Sequence, residues 1–250
     1  SRGMEIALVS EFEDEIYSSI QQDGEWGFEK IFLNNQKLSF GKDLSDWVVE
    51  NILFKVLYPA EFHGQSAIEA SVKLSDLYKE KEDGIEKIIV ETHEPAIRII
   101  SNKENLNNPS DRDHSLEYMI AAGLLFKEVK SETYEDNFSG LKQIENLRKK
   151  IKVQENKEFT DSYYDLSKRH IANTIYFQYT DGSFSKKETV ETPIGHPNRR
   201  EEAEPLLKQK FINNMSSHFS EDKAKDIWDK ILLIDVDSEF KEVIKLLSND

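Results

Sequence analysis

A chain of 250 residues with no cysteine and a formal net charge of −15 at pH 7 is long enough to bury one large core or two modest ones without disulfide or metal staples. The missing cysteines exclude a disulfide framework, a thiolate zinc site and a cysteine-ligated iron–sulfur cluster within these residues. The acidic balance argues against a nucleic-acid partner, and without an apolar run of membrane-span length or a basic-then-apolar leader the expectation is a cytoplasmic protein with no membrane partner.

In chain order, residues 1–20 predict an amphipathic helix, with Ile6, Val9, Ile16 and Ile20 near the helical period, while 21–50 are turn-rich and predict no firm element. Residues 65–82 predict a helix that gathers Ile68, Val72, Leu74, Leu77 and Tyr78 on one face. Asp83-Gly84 signals a turn, and the β-branched runs 85–92 and 96–100 predict two strands. A polar loop then leads into 114–127, the most apolar helix of the chain and therefore a buried one. A charged surface helix is predicted at 141–150 and a further strand from 151 to 153. Alternating side chains at 172–179 and 184–191, on either side of Asp181-Gly182, predict a hairpin. Helical periodicity returns at 201–219, 221–233 and 238–247, with Ser220 and Asp237 or Ser238 as N-caps. This order predicts an α+β fold: a smaller α+β domain at 51–198 inserted between segments of an all-helical domain, to which 1–50 and 199–250 belong.

Three clusters carry residue types suited to acid chemistry. The first holds Lys55, Tyr58 and His63 just ahead of a helix; proton abstraction beside a carboxylate needs a base that titrates near neutrality and a cation for the developing charge. By residue type alone they read more readily as a helix-start histidine and a surface cation. The second is the polar loop 107–115, where Arg112, His114, Ser115 and a helix N-terminus favour an anion, or where the loop merely caps the helix. The third is 192–200, in which Gly195 and two prolines shape a loop carrying His196, Arg199 and Arg200. Its adjacent arginines are forked carboxylate donors, or solvated charges of a linker between domains. His93, His170 and His218 lack partners at metal-ligand spacing, so they read as surface or core histidines and no metal site is expected. A phosphate-binding glycine loop, a nucleophile elbow and a dinucleotide fingerprint are absent.

The strings Tyr58-Pro59-Ala60-Glu61-Phe62-His63-Gly64, Asn107-Asn108-Pro109-Ser110-Asp111-Arg112-Asp113-His114 and Pro193-Ile194-Gly195-His196, followed by Arg199-Arg200, resemble the 2-methylcitrate dehydratase branch of the MmgE/PrpD family. Glu91-Thr92-His93-Glu94, Tyr134-Glu135-Asp136-Asn137 and Tyr179-Thr180-Asp181-Gly182 resemble it in the same order. The resemblance implies a large helical domain built from both ends of a longer chain, with the N-terminal helical half missing here. It also implies a homodimer and a metal-free, cofactor-free hydro-lyase acting on a small tricarboxylate, with its active site between the two domains. By position, Lys55 and His63 resemble the family's catalytic lysine and histidine, and Arg112, His114, Ser115, Gly195, His196, Arg199 and Arg200 form the expected carboxylate-binding set. The expected reaction gives 2-methyl-cis-aconitate in propionate catabolism, with these 250 residues inactive alone. A citrate dehydratase, a cis-aconitate decarboxylase-like enzyme and a non-catalytic carboxylate-binding or assembly fragment are the alternatives.

Overall fold

The computed structural model describes residues 2–3, 25–39, 52–101, 105–234 and 240–247. Apart from residues 2–3, the helix expected at 1–20 lies outside the described residues, as do the caps expected at Asp237 and Ser238. The chain divides into two units, Ser1–Asn51 and Ile52–Asp250. In the first, where no firm element is predicted, Phe28–Leu33 forms a short helix, α1, that stops at Asn34 in the left-handed conformation.

The second unit is built on a four-stranded mixed sheet, β1 (Ile85–Thr92), β2 (Ile151–Glu155), β3 (Asn173–Tyr179) and β4 (Glu188–Val190), in the order β2-β1-β3-β4. β1 pairs with β2 in parallel and with β3 antiparallel, and β3 pairs antiparallel with β4. In β1 the buried residues are Ile85, Ile88, Val90 and Thr92, and the odd step from 85 to 88 follows from a register irregularity between Ile85 and Lys87. α2 (Gln65–Lys81) lies against β3 and β4. α3 (Glu94–Ile100) and the short α4 (Pro109–Asp113) lead to α5 (Leu116–Phe126), which packs on α2 and on α6 (Leu141–Arg148). The expected burial of α5 holds, with Tyr118, Met119, Ile120 and Leu124 fully buried. α7 (Lys157–Tyr164) precedes β3, and α8 (Arg200–Met215), α9 (Glu221–Ile231) and α10 (Phe240–Leu246) end the chain. Ser220 caps α9 as predicted, its hydroxyl accepting from the Lys223 N–H.

These ten helices and the sheet, among the described residues, make an α+β architecture, and none of the helices is long and apolar enough to cross a membrane. Two predicted elements differ. Residues 96–100 are not a strand but the body of α3: Pro95 in its first turn presets a helical φ, His93 supplies the extended N-cap, and Ala96 and Ile100, four apart, are the residues buried. The return strand of the hairpin is confined to Glu188–Val190, with Phe184 reduced to an isolated bridge to Gln178. α7 occupies a stretch for which no element is predicted.

Candidate active site

A 3-10 turn at Phe62–Gly64 introduces α2, and the Glu61 carboxylate caps it by accepting from the His63 N–H at 2.7 Å. Gln65 fastens the segment ahead of the turn, its Nε2 donating to the carbonyls of Tyr58 (2.9 Å) and Ala60 (3.0 Å). Asn173, at the start of β3, donates to the His63 carbonyl at 3.2 Å and to Ser66 Oγ at 2.9 Å. A Cβ on Gly64 would fall 2.7 Å from Met119 Cε, so the turn approaches α5 closely and a larger residue there would push the end of the Met119 side chain aside. The backbone of His63 is thus held from the helix and from the sheet.

The His63 side chain has one partner on each nitrogen. Nδ1 lies 2.8 Å from Glu61 Oε1, and Nε2 lies 3.2 Å from the Tyr163 hydroxyl on α7. With the proton on Nδ1, donated to the carboxylate, Nε2 is left as an acceptor for the phenol. Burial by itself would raise the Glu61 carboxyl, but the hydrogen bonds and charge of His63 outweigh it and hold the group below the usual carboxylate range. His93, the residue after β1, is fully buried and stacks on Tyr163 with ring centroids 4.9 Å apart and planes 14° apart. Its ring lies 5.3 Å from that of His63. His93 Nδ1 lies 3.4 Å from the Ala172 carbonyl, a pure acceptor, so the proton sits there. Nε2 is buried without a partner among the described residues. Burial first, and then the neighbouring His63, push the His93 imidazole down to about 4. The cluster opens on a cleft of ≈ 470 Å³ whose lining includes Phe62, His63, Tyr163, Tyr164 and Arg169. A base and a phenol therefore face one space that Arg169 also lines, which suits proton transfer on an anionic substrate.

The expected site residues are distributed unequally around this cleft. Lys55 is exposed and outside its lining, and its carbonyl accepts from the Lys210 ammonium. Arg112 is buried against Asp136, 2.7 Å away, and the Tyr134 carbonyl. Ser115 caps α5 by accepting from the Tyr118 N–H, while the exposed His114 lies 2.5 Å from Asp113. Gly195, with φ +100°, accepts from the Phe54 N–H at 3.1 Å, and a Cβ there would strike the Phe54 carbonyl. His196 is buried: its Nε2 faces the Arg169 carbonyl at 3.2 Å, and its Nδ1 accepts from the Asn198 N–H. Desolvation holds it below the ordinary histidine value, so it is neutral at pH 7. Arg199 makes a two-pronged pair with Glu69 at 2.9 and 3.1 Å and a second with Glu202 at 2.9 and 2.8 Å. Arg200 reaches the Ile52 carbonyl and lies 4.1 Å over the Phe54 ring. Of the expected set, His63 alone lines the cleft.

Sequence reasoning passes over Glu61, His93 and Tyr163 as site residues. Glu61 stands two residues before the histidine in the stretch Tyr58–Gly64, and that spacing is its only signal. His93 reads as a core histidine, which its burial agrees with, and Tyr163 lies in an unassigned stretch with no signal of its own. Among the described residues, no group of three or more His, Asp or Glu converges to hold a metal ion.

Residues 58–235 match the MmgE/PrpD C-terminal domain. The chain is 40% identical over 222 residues to the 2-methylcitrate dehydratase of Escherichia coli (strain K12), covering 88% of this chain and 46% of that protein. It is 38% identical over 232 residues to the 2-methylcitrate dehydratase of Salmonella typhimurium (92% and 48% covered), and 34% over 230 residues to the mitochondrial one of Yarrowia lipolytica (91% and 44%). The chain spans about half the length of the curated relatives it matches.

Proposed function

Because the chain belongs to the MmgE/PrpD family, we propose that it supplies one half of a 2-methylcitrate dehydratase, a hydro-lyase forming 2-methyl-cis-aconitate in the methylcitrate cycle of propionate catabolism. The observation that carries the proposal is the Glu61–His63 pair opening on a cleft beside a phenol. In that geometry His63 Nε2 removes the proton α to a carboxylate, while Glu61 fixes the tautomer and stabilises the imidazolium that forms. Lys55, on the segment that precedes the turn, is proposed to stabilise the charge developing on the substrate. Arg112, His114, Ser115, Gly195, His196, Arg199 and Arg200 belong to the same proposal as the carboxylate-binding set. Arg112 and Arg199 already hold protein carboxylates, so binding substrate there requires an exchange of partners. The formal charge of −15 makes such local cations necessary for an anionic substrate. Metal-independent turnover, a cytoplasmic location and a homodimer complete the reading.

The test is ultraviolet detection of the conjugated alkene from 2-methylcitrate, with chelator present, using the protein as its source produces it. The His63→Ala variant is expected to lose about 10²–10⁴-fold in kcat. Absence of product from folded wild-type protein, or undiminished turnover by the variant, overturns the proposal; turnover of citrate or cis-aconitate instead redirects it within the family.

A further inference from the structure

We propose that the Tyr163 hydroxyl is the general acid of this elimination, protonating the departing hydroxide and recovering its proton from His63 across the hydrogen bond they share. The inference rests on the reading of His63 as the base. Three observations single out this phenol. Its oxygen is 3.2 Å from His63 Nε2, and both side chains line the same cleft. The ring is held on one face by His93 at 4.9 Å and edge-on by Tyr164 at 5.2 Å, so the hydroxyl is presented from a fixed position. α7 is itself anchored, since Thr160 accepts from the Glu94 N–H of α3 at 3.0 Å and Asn156 caps the first turn. Tyr164, the neighbouring phenol, instead donates to Glu94 Oε2 at 3.2 Å.

The proton inventory closes on these two side chains. His63 Nε2 takes the proton from the carbon α to a carboxylate, and the electron pair of that C–H bond becomes the second bond of the alkene. The C–O bond breaks with its pair on oxygen, and the Tyr163 proton joins that oxygen to give water. The phenolate then takes the proton from the imidazolium Nε2, so both groups return to their starting state without a proton from solvent. A phenol suits this step because it is protonated at neutral pH, burial pushing Tyr163 above the ordinary tyrosine value, yet is far more acidic than the water it helps to form.

Tyr163→Phe keeps the ring, and with it the stack on His93, while removing only the oxygen. On 2-methylcitrate the variant is expected to lose about 10²–10⁴-fold in kcat with a small change in KM and an unchanged melting temperature. The decisive comparison uses the analogue with fluoride in place of the leaving hydroxyl, which departs without a proton. There the Tyr163→Phe loss is expected to shrink to a few-fold, whereas His63→Ala remains inactive on both compounds. Equal losses for Tyr163→Phe on both compounds overturn the acid role and leave Tyr163 a positioning residue. Wild-type turnover in the Phe variant, with His63→Ala inactive, sinks the inference while the base assignment stands. A folded wild type inactive on both compounds removes the dehydratase reading and this inference together.

Discussion

A neutral, fully buried imidazole packed against the rings of Tyr163 and His63 makes His93 the residue whose burial acid conditions strain most. Around it stand Thr92, the Ala172 carbonyl, His63 and Tyr163; that carbonyl and the nearby Glu61 carboxylate favour the cation, but burial and the neighbouring His63 outweigh them. Its folded value near 4 lies below the ordinary 6.5, so the unfolded state binds the proton first. The associated stability is complete above about pH 6.5 and is lost as pH falls towards 4, roughly 3 kcal/mol in all. Glu61 acts with the same sign at lower pH, since its depressed carboxyl favours folding above its unfolded value of 4.5 and loses that advantage on further acidification. Urea unfolding at a series of pH values checks this: the slope of stability between pH 6.5 and 4 is expected to flatten in His93→Gln, and an unaltered slope contradicts the assignment. The sequence exposes His63 through the string that carries it, but Tyr163 lies 100 residues away and meets it only in the folded chain. His93 also stands in a resembling string, but nothing in residue type at the end of a β-branched run distinguishes a site histidine from a packed one.

The contact between α2 and α5 depends on a missing side chain. At Gly123 a Cβ would fall 2.0 Å from Ser71 Oγ, 3.2 Å from Ser71 Cβ and 3.5 Å from the Ile68 carbonyl. That hydroxyl donates to the Ile68 carbonyl at 2.7 Å, so it cannot turn aside without losing its bond. Gly123→Ala is expected to destabilise by about 1–3 kcal/mol despite alanine's better helix propensity. Ser71→Ala in the same chain removes the nearest obstacle and is expected to restore part of the loss, giving a favourable coupling in a double-mutant cycle read by urea titration. Strict additivity of the two changes would contradict the steric account. Both helices are legible in the sequence because each is long enough to show its period or its apolar content. α3 is not, since its seven residues hold four of β-branched or aliphatic type that a strand accommodates equally well, and only Pro95 points the other way. α7 is hidden for a related reason: with Thr160 alone buried, it lacks an apolar stripe to detect.

Across the second unit, Arg199 ties α8 to α2, joining Glu69 of α2 to Glu202 of α8 and donating to the Thr192 carbonyl at 2.7 Å. These bonds raise its guanidinium above the usual arginine value. Glu69 is buried, so Glu69→Ala leaves a half-buried cation with the exposed Glu202 as its one remaining carboxylate beside the Thr192 carbonyl. A loss of about 1–3 kcal/mol is expected, together with faster proteolytic cleavage within 200–215 than within 65–81. Equal protection of the two stretches would show that Arg199 does not couple them. The broad α+β class was legible from the order of periodicities, whereas this long-range commitment of Arg199 was not, because a sequence shows a charge without showing who neutralises it.

Three bonds fasten the start of this unit to residues 195–210: the Phe54 N–H to the Gly195 carbonyl, the Arg200 guanidinium to the Ile52 carbonyl, and the Lys210 ammonium to the Lys55 carbonyl. The chain leaves near Phe54, lays down four strands and most of the helices, and returns to where it left. For whatever precedes and follows it, that whole excursion has the span of a single hydrogen-bonded pair and so the entropic character of a short loop. A module sewn shut at its neck in this way can lengthen, shorten or exchange its interior without altering the distance its flanking segments must bridge.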